Sequence, residues 1–183
     1  GQALQCATSH NFGADFAKAF NVQFLDKDNQ LKPVYETSWG MTTRMIGALI
    51  MVHGDDSGLK LPPRIAPTQI CIVPIQQKKE GVLDKAYELR DQLRKSGFRV
   101  KVDDGDKSPG FKFADCEVRG IPLRIEVGPK DIEAGHAVLV RRDTREKIQV
   151  SFDELAEETG KLLEQIQQDM YDRAKTFLEE HTS

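Results

Sequence analysis

Cysteine is scarce in this sequence, and what there is lies apart. Only Cys6, Cys71 and Cys116 occur among 183 residues, with no C-x-x-C pair. That spacing argues against a zinc site and a disulfide framework and suits a reducing compartment. No apolar stretch suits a membrane: the run from Met45 to Val52 is too short to span a bilayer and contains Gly47. The opening "GQALQCATSH" lacks the basic start and apolar stretch of a secretory leader. A cytoplasmic protein with no membrane partner is therefore expected. There is no basic excess either, since the net charge is -3, so a nucleic-acid partner has to be met by a local patch. Repeats and low-complexity tracts are absent. So is a glycine-rich phosphate loop: "IVPIQQKKEG" is not G-x-G-x-x-G, which sets aside a flavodoxin-like or Rossmann-like nucleotide domain. No Ser/His/Asp or Cys/His constellation for nucleophilic catalysis can be read, and no catalytic side chain is expected.

What is present is enough apolar material, 39%, for a real core. The length fits one large domain, or one domain with part of another. The best boundary is "LKLPPRIAPTQ", where Pro62, Pro63 and Pro67 interrupt any helix; it divides residues 1–66 from 67–183. Before it lie the short strand-like pieces "VQFLD" and "VYETSWG" and an apolar helix from about Thr42 to His53, ended by "GDDSG". After it, strands and helices alternate. "QICIVPI" is a continuous apolar strand of the kind buried on both faces. "EGVLDKAYELRDQLRKSG" carries a broad apolar stripe and stops at Gly97. "FRVKVDD" alternates as a strand, and "SPGFKFADCEVRG" is a short helix with Pro109 in its first turn and Gly120 after its end. "IPLRIEV", "HAVLVRR" and "EKIQVS" are further strands. A long final helix opens at Ser151 or Asp153. The order β-α-β-α-β-β-β-α predicts a mixed, mainly parallel sheet with helices on its faces.

"SWGMTTRMIGALIMVHGDDSG" sets Arg44 at the mouth of the apolar helix, behind two threonines and a glycine. A guanidinium offers a planar fork of donors for phosphate oxygens, and the helix start adds a field that favours anions. On the residues alone, Arg44 reads sooner as an arginine lying along the edge of an apolar helix than as a phosphate ligand. Phe16 and Phe20 share one helical face and read as core, and so does Trp39. "HGDD" has metal-ligand residue types without a third cluster, so it reads as a helix end, with His53 placed favourably at the negative pole.

Three stretches in series carry a resemblance: "QCATSHNFGADFAKAF", "SWGMTTRMIGALIMVHGDDSGLKLPPRIAP" and "SPGFKFADCEVRGIPLRIEVGPKD". Together they resemble the prolyl-tRNA synthetases of the archaeal and eukaryotic-like type, over essentially the whole chain. The resemblance implies an α/β chain: the end of a class II antiparallel-sheet catalytic domain, then a mainly parallel anticodon-binding domain with flanking helices. It implies that Arg44 holds the ATP γ-phosphate, that Thr42, Gln5 and Thr8 lie near ATP, and that His10 and Trp39 lie on the proline side. "QCATSHNFG" is then a loop against the substrates. ATP and Mg2+ are the cofactors implied, proline and proline tRNA the partners, and a homodimer the state of the full-length enzyme.

In the second part, the resemblance places Phe113 as a stacking ring and Glu117, Arg124, Lys130, Asp131 and Lys147 as guanine and backbone contacts. An unstacked guanine wants a carboxylate for its donors, a cation for its acceptors and an aromatic face. "FADCEVRGIPLRIEVGPKD" holds all three types, with Phe113 and Glu117 one helical turn apart. By themselves, the charged residues read sooner as a solvated ion-pair network than as a base site. Two earlier class II signatures are not found, so a fragment unable to form the adenylate by itself is expected. With its sheet incomplete, the first part should expose apolar surface. A stand-alone RNA-binding module is the competing reading, against which the ATP-site signature before Pro67 counts.

Overall fold

The structure, a computed structural model, describes residues 3–182. The chain divides into two compact units between Leu49 and Ile50.

In the first unit, strand β1 (Ala7–Gly13) leads into helix α1 (Asp15–Phe20), which Asn21 ends in a left-handed conformation, φ 54°. Strands β2 (Gln23–Leu25) and β3 (Leu31–Pro33) form a hairpin, whose turn is held by Lys32 pairing with Asp26 and Asp28. Strand β4 (Glu36–Met41) pairs antiparallel with β1. The segment expected as a loop is thus largely a strand: its backbone groups pair with β4, although its outward residues are too polar to signal one. Helix α2 (Arg44–His53) follows, and the division into units falls within it.

Burial corrects the reading of several apolar residues. No residue of α2 is buried, and Trp39, Phe16 and Phe20 are exposed rather than core. Periodicity says which residues share a face; it does not say that anything covers that face. The three phenylalanines Phe12, Phe16 and Phe20 instead pack in series, edge to face at 4.6 Å and then stacked at 6.4 Å.

The second unit is built on a five-stranded sheet. Its elements are β5 (Ile70–Pro74), α3 (Val82–Lys95), β6 (Val100–Val102), α4 (Pro109–Val118), β7 (Leu123–Val127), α5 (Pro129–Ala134), β8 (His136–Arg141), β9 (Lys147–Ser151) and α6 (Leu155–Glu180). The spatial order is β6-β5-β7-β8-β9. Strand β5 is parallel to β6 and β7, while β8 runs antiparallel to both its neighbours. Four of the five strands therefore point one way, as the alternating pattern predicts. Ser151 closes β9 rather than opening the last helix, which starts at Leu155. Helix α5 gives no periodic signal in the sequence, because six residues are too few to show a period.

Alternation along the strands sorts the two faces. Ile70, Ile72, Leu123 and Ile125 point into the main core, with Leu89 and Leu93 of α3 and Leu163 and Ile166 of α6. Cys71 and Val73 point the other way, joining Cys116 of α4 and Ile121. The two cysteines are 45 positions apart in sequence yet share one apolar cluster. The Cys71 thiol is pushed far above its usual range, first by its hydrogen bond with Cys116 and then by burial. Among the described residues no group of His, Cys, Asp and Glu could hold a metal ion. No described helix is long and apolar enough to cross a membrane.

The proline-rich segment does not hang free. Leu59 and Leu61 donate backbone bonds to the carbonyls of Val118 and Gly120, both 3.1 Å. Arg99 holds the carbonyls of Ala66 and Pro63 at 2.8 and 2.9 Å. Asp55 makes a two-pronged pair with Arg142, at 2.6 and 3.0 Å, so "HGDD" supplies a strap anchor. His53 is not a helix-end cation: burial first, then Arg173 and Lys60, lower its pKa.

The close approach of this strap to α4 requires glycine. At Gly120, φ is 69° and a Cβ would lie 2.6 Å from the Leu59 Cβ. Gly120→Ala is expected to destabilise the chain by about 1–3 kcal/mol. Urea unfolding would check this; an unchanged midpoint would show that the strap does not depend on the contact.

Candidate nucleic-acid interface

Ser108 caps α4 by accepting from the Phe111 N–H at 3.4 Å, and Pro109 starts its first turn. The helix is thereby fixed so that Phe113 and Glu117 follow one another down one side. Strand β7 runs beneath it with Arg124 and Glu126 on one face, and both are buried. In register, Arg124 stands beside Cys71 and Val140, and Val140 beside Lys147. Side chains from α4, β7 and β9 thus converge.

The contacts are specific. Arg124 donates through Nε and Nη2 to Glu126 Oε1 at 3.1 and 2.9 Å. Its Nη1 lies 3.6 Å from Glu117 Oε1, and its guanidinium sits 4.2 Å over the Phe113 ring. Lys147 reaches the other oxygen of Glu126 at 3.4 Å. Arg145, left-handed at φ 64°, comes within 4.0 Å of Glu117 Oε2. Arg142 donates to the Glu117 carbonyl at 3.1 Å, which ties the helix end to the sheet. The cavity among Glu117, Arg124 and Arg145 measures about 10 Å³, room for roughly one water, so a base meets only the outer edges of these groups.

Phe113, Glu117, Arg124 and Lys147 are therefore brought together. Asp131 and Lys130 are placed differently, at the start of α5. Asp131 accepts from the Gly128 N–H at 2.8 Å and lies 3.4 Å from His136 Nε2. Lys130 is exposed on the same short helix.

Glu126 and Arg145 escaped the sequence reading. Glu126 had a usable signal: two positions after Arg124 in an alternating strand, it must share the arginine's face. Arg145 had none, because its place depends on an irregular turn. With its partners, the cluster presents an aromatic face, a carboxylate edge and three cations within a few ångströms. That is the complement of a splayed-out guanine.

The first unit gathers a second group. The pairing of β1 with β4 sets Thr8 opposite Gly40 and His10 opposite Ser38. Arg44 donates to the Gln5 carbonyl at 3.0 Å, and its own N–H donates to Thr42 Oγ1 at 3.3 Å. His10 stacks on Phe12 at 5.4 Å. Trp39 pairs with Ser9, so it lies on the opposite face of the ribbon from Thr8 and His10. Hydrogen bonds thus join Arg44 to Gln5 and Thr42, while Thr8 and His10 share one face of the β1–β4 ribbon and Trp39 lies on the other.

Comparison with known proteins takes in the whole chain. The chain is 66% identical to a proline–tRNA ligase of Lachnoclostridium phytofermentans over 182 residues, 63% to one of Lachnospira eligens and 63% to one of Clostridium novyi. Each alignment takes in 100% of this chain and 38% of the relative, so the chain spans well under half the length of the proteins it matches. Residues 69–162, which hold the whole Phe113–Lys147 cluster, match the model of the anticodon binding domain. The chain belongs to the anticodon binding domain family.

Proposed function

We propose that this chain carries the anticodon-reading domain and the end of the catalytic domain of a proline–tRNA ligase. The observation that carries the reading is the meeting of Phe113, Glu117, Arg124 and Lys147 inside the matched domain. Residues 67–183 read the two adjacent guanines of the proline anticodon. Phe113 stacks a base, the Glu117 carboxylate accepts from guanine N1 and N2, and Lys147 donates to O6 or N7. Arg124 completes the guanine site, and Lys130 and Asp131, at the start of α5, contact the RNA backbone beside it. Residues 1–66 contribute to proline activation: Arg44, Thr42, Gln5 and Thr8 toward ATP and His10 toward proline, with Trp39 on the opposite face of the ribbon from His10. Arg44 suits the task because its fork is already oriented by the Gln5 carbonyl. Magnesium is assigned to the phosphates of ATP rather than to a side-chain cage. The working protein is a cytoplasmic homodimer of the relatives' length, and the 183-residue chain alone gives no proline-dependent ATP–pyrophosphate exchange.

Similarity that runs through residues 1–66 as well as the second unit favours this over a stand-alone RNA-binding module. The test is binding of the chain to proline tRNA against the same tRNA with both anticodon guanines replaced, at one fixed salt concentration. A preference of about tenfold or more for the native anticodon is expected, given about 1–3 kcal/mol per base contact. Equal binding to both would sink the reading.

A further inference from the structure

We propose that the crevice at the carboxyl ends of β5 and β6 is a second nucleotide site, in which lysines hold successive backbone phosphates and Phe111 stacks a base next to the anticodon guanines. This rests on the anticodon reading above. Strand β5 lies between β6 and β7. Its connection through α3 leads to one neighbour, and the connection through α4 leads from that neighbour to the other. The loops therefore part above β5, the place where open α/β sheets take their ligands. The crevice there measures about 490 Å³.

Its charge is one-sided. Lys78, Lys79, Lys107 and Lys112 line it against a single carboxylate, Asp106. Lys60, Lys85 and Lys161 have acidic partners, whereas Lys18, Lys27, Lys95, Lys101 and Lys130 are scattered lysines with none among the described residues. The rim residues Lys78, Lys79 and Lys107 also have none within 4.0 Å among the described residues; the crevice differs in gathering such lysines in one place. At the floor, Lys112 is 2% exposed. Its Nζ donates to Gln77 Oε1 and the Asp103 carbonyl, both 2.8 Å, and the nearest carboxylate oxygen is 3.9 Å away. Two of its three N–H donors are thus used. A buried ammonium is costly to desolvate, and the Asp103 carboxylate at 3.9 Å offsets only part of that cost. An anion in the crevice would offset more of it.

The aromatic component lies beside the lysines. Phe111 is 56% exposed on the first turn of α4, and Lys107 Nζ sits 5.5 Å from its ring centre. A basic groove flanked by an open aromatic ring is the arrangement that holds single-stranded RNA. Phe111 and Glu117 are separated by about 9 Å along the helix axis, so one short single strand can reach both sites.

The experiment measures binding of the 183-residue chain to a proline-tRNA anticodon stem-loop over a series of salt concentrations. A K78A/K79A/K107A variant is expected to flatten the slope of log K against log salt by about 2, from three lost phosphate contacts. Phe111→Ala is expected to weaken binding about 5- to 150-fold. Both variants should keep the ratio of affinities for the native and guanine-replaced loops. These side chains are exposed, so folding is not at stake. Unchanged slope and affinity with that ratio intact would overturn the crevice site and leave the anticodon reading standing. A ratio near one in the unsubstituted chain, with the slope still falling in the triple variant, keeps the crevice as an RNA site and sinks the guanine reading instead.

Discussion

Asp143→Ala is expected to lower stability by about 3–5 kcal/mol, the scale for removing one partner of a buried ion pair. The Asp143 side chain is 1% exposed. It accepts from Arg141 Nε and Nη2 at 2.9 and 2.8 Å and from Arg173 Nη2 at 3.1 Å. Arg141, itself 7% exposed, also bonds Asp169 at 2.6 Å. Without Asp143, Arg141 keeps one carboxylate where it had two. Arg173 is half exposed and can turn to water.

The same site sets a pH dependence. Burial, the largest influence on Asp143, pushes its pKa up. The hydrogen bonds and charges of Arg141 and Arg173 outweigh it and hold the carboxyl below 3.8. A carboxyl depressed on folding contributes stability that is fully present above its unfolded value and lost as pH falls through the folded one. Stability should therefore drop below about pH 4. Asp143→Asn, which keeps the shape and loses the charge, should make that acid limb shallower. Asp55, held down first by Arg142, and Asp169, held down first by Arg141, leave part of it in place. Urea midpoints at pH 7 and pH 3 decide the matter. Parallel losses in the original and the Asn variant would mean that Asp143 gains nothing from its charge.

Arg124→Ala is expected to weaken binding of the anticodon loop by about 5- to 150-fold, the equivalent of 1–3 kcal/mol. Two effects add. The ring of Phe113 loses the cation on one face, and Glu126 and Glu117 lose the charge that stands between them and the RNA phosphates. Glu126→Gln separates positioning from charge. It releases Arg124 and Lys147 and makes the site more basic, so affinity for guanine-replaced loops should rise while the preference for guanine shrinks. Binding at fixed salt to the native and replaced loops reads both. If Glu126→Gln kept the full preference, Glu126 would have no part in orienting Arg124.

Much of the second unit was legible because its residues obey strong local rules. Ile70–Pro74 is apolar throughout and buried throughout, and α4 starts at Ser108–Pro109 and ends before Gly120. Helix spacing put Phe113 and Glu117 on one face, while the site itself, Arg124 and Lys147 included, was implied by the resemblance; register across β7, β8 and β9 is what brings Lys147 beside Arg124. What was not legible depends on contacts far apart in the chain. Lys112 looks like a surface lysine on α4, and nothing local says that Gln77 and the Asp103 carbonyl enclose it. Phe16, Phe20 and Trp39 have the chemistry of core residues, but exposure is a property of what lies opposite them.

The strap that joins α2 to the sheet also carries a consequence for the order of assembly. Asp55 bonds a residue 87 positions later, and Arg64 bonds Glu164, 100 positions later. Contacts that close such long loops are entropically late, because the chain must be brought together before they return anything. On a ribosome the delay is absolute, since Arg142 does not exist when Asp55 emerges. At about 5–20 residues per second, the segment waits roughly 4–17 s for its partner. Through that interval, Pro62, Pro63 and Pro67 keep it extended and unable to extend α2.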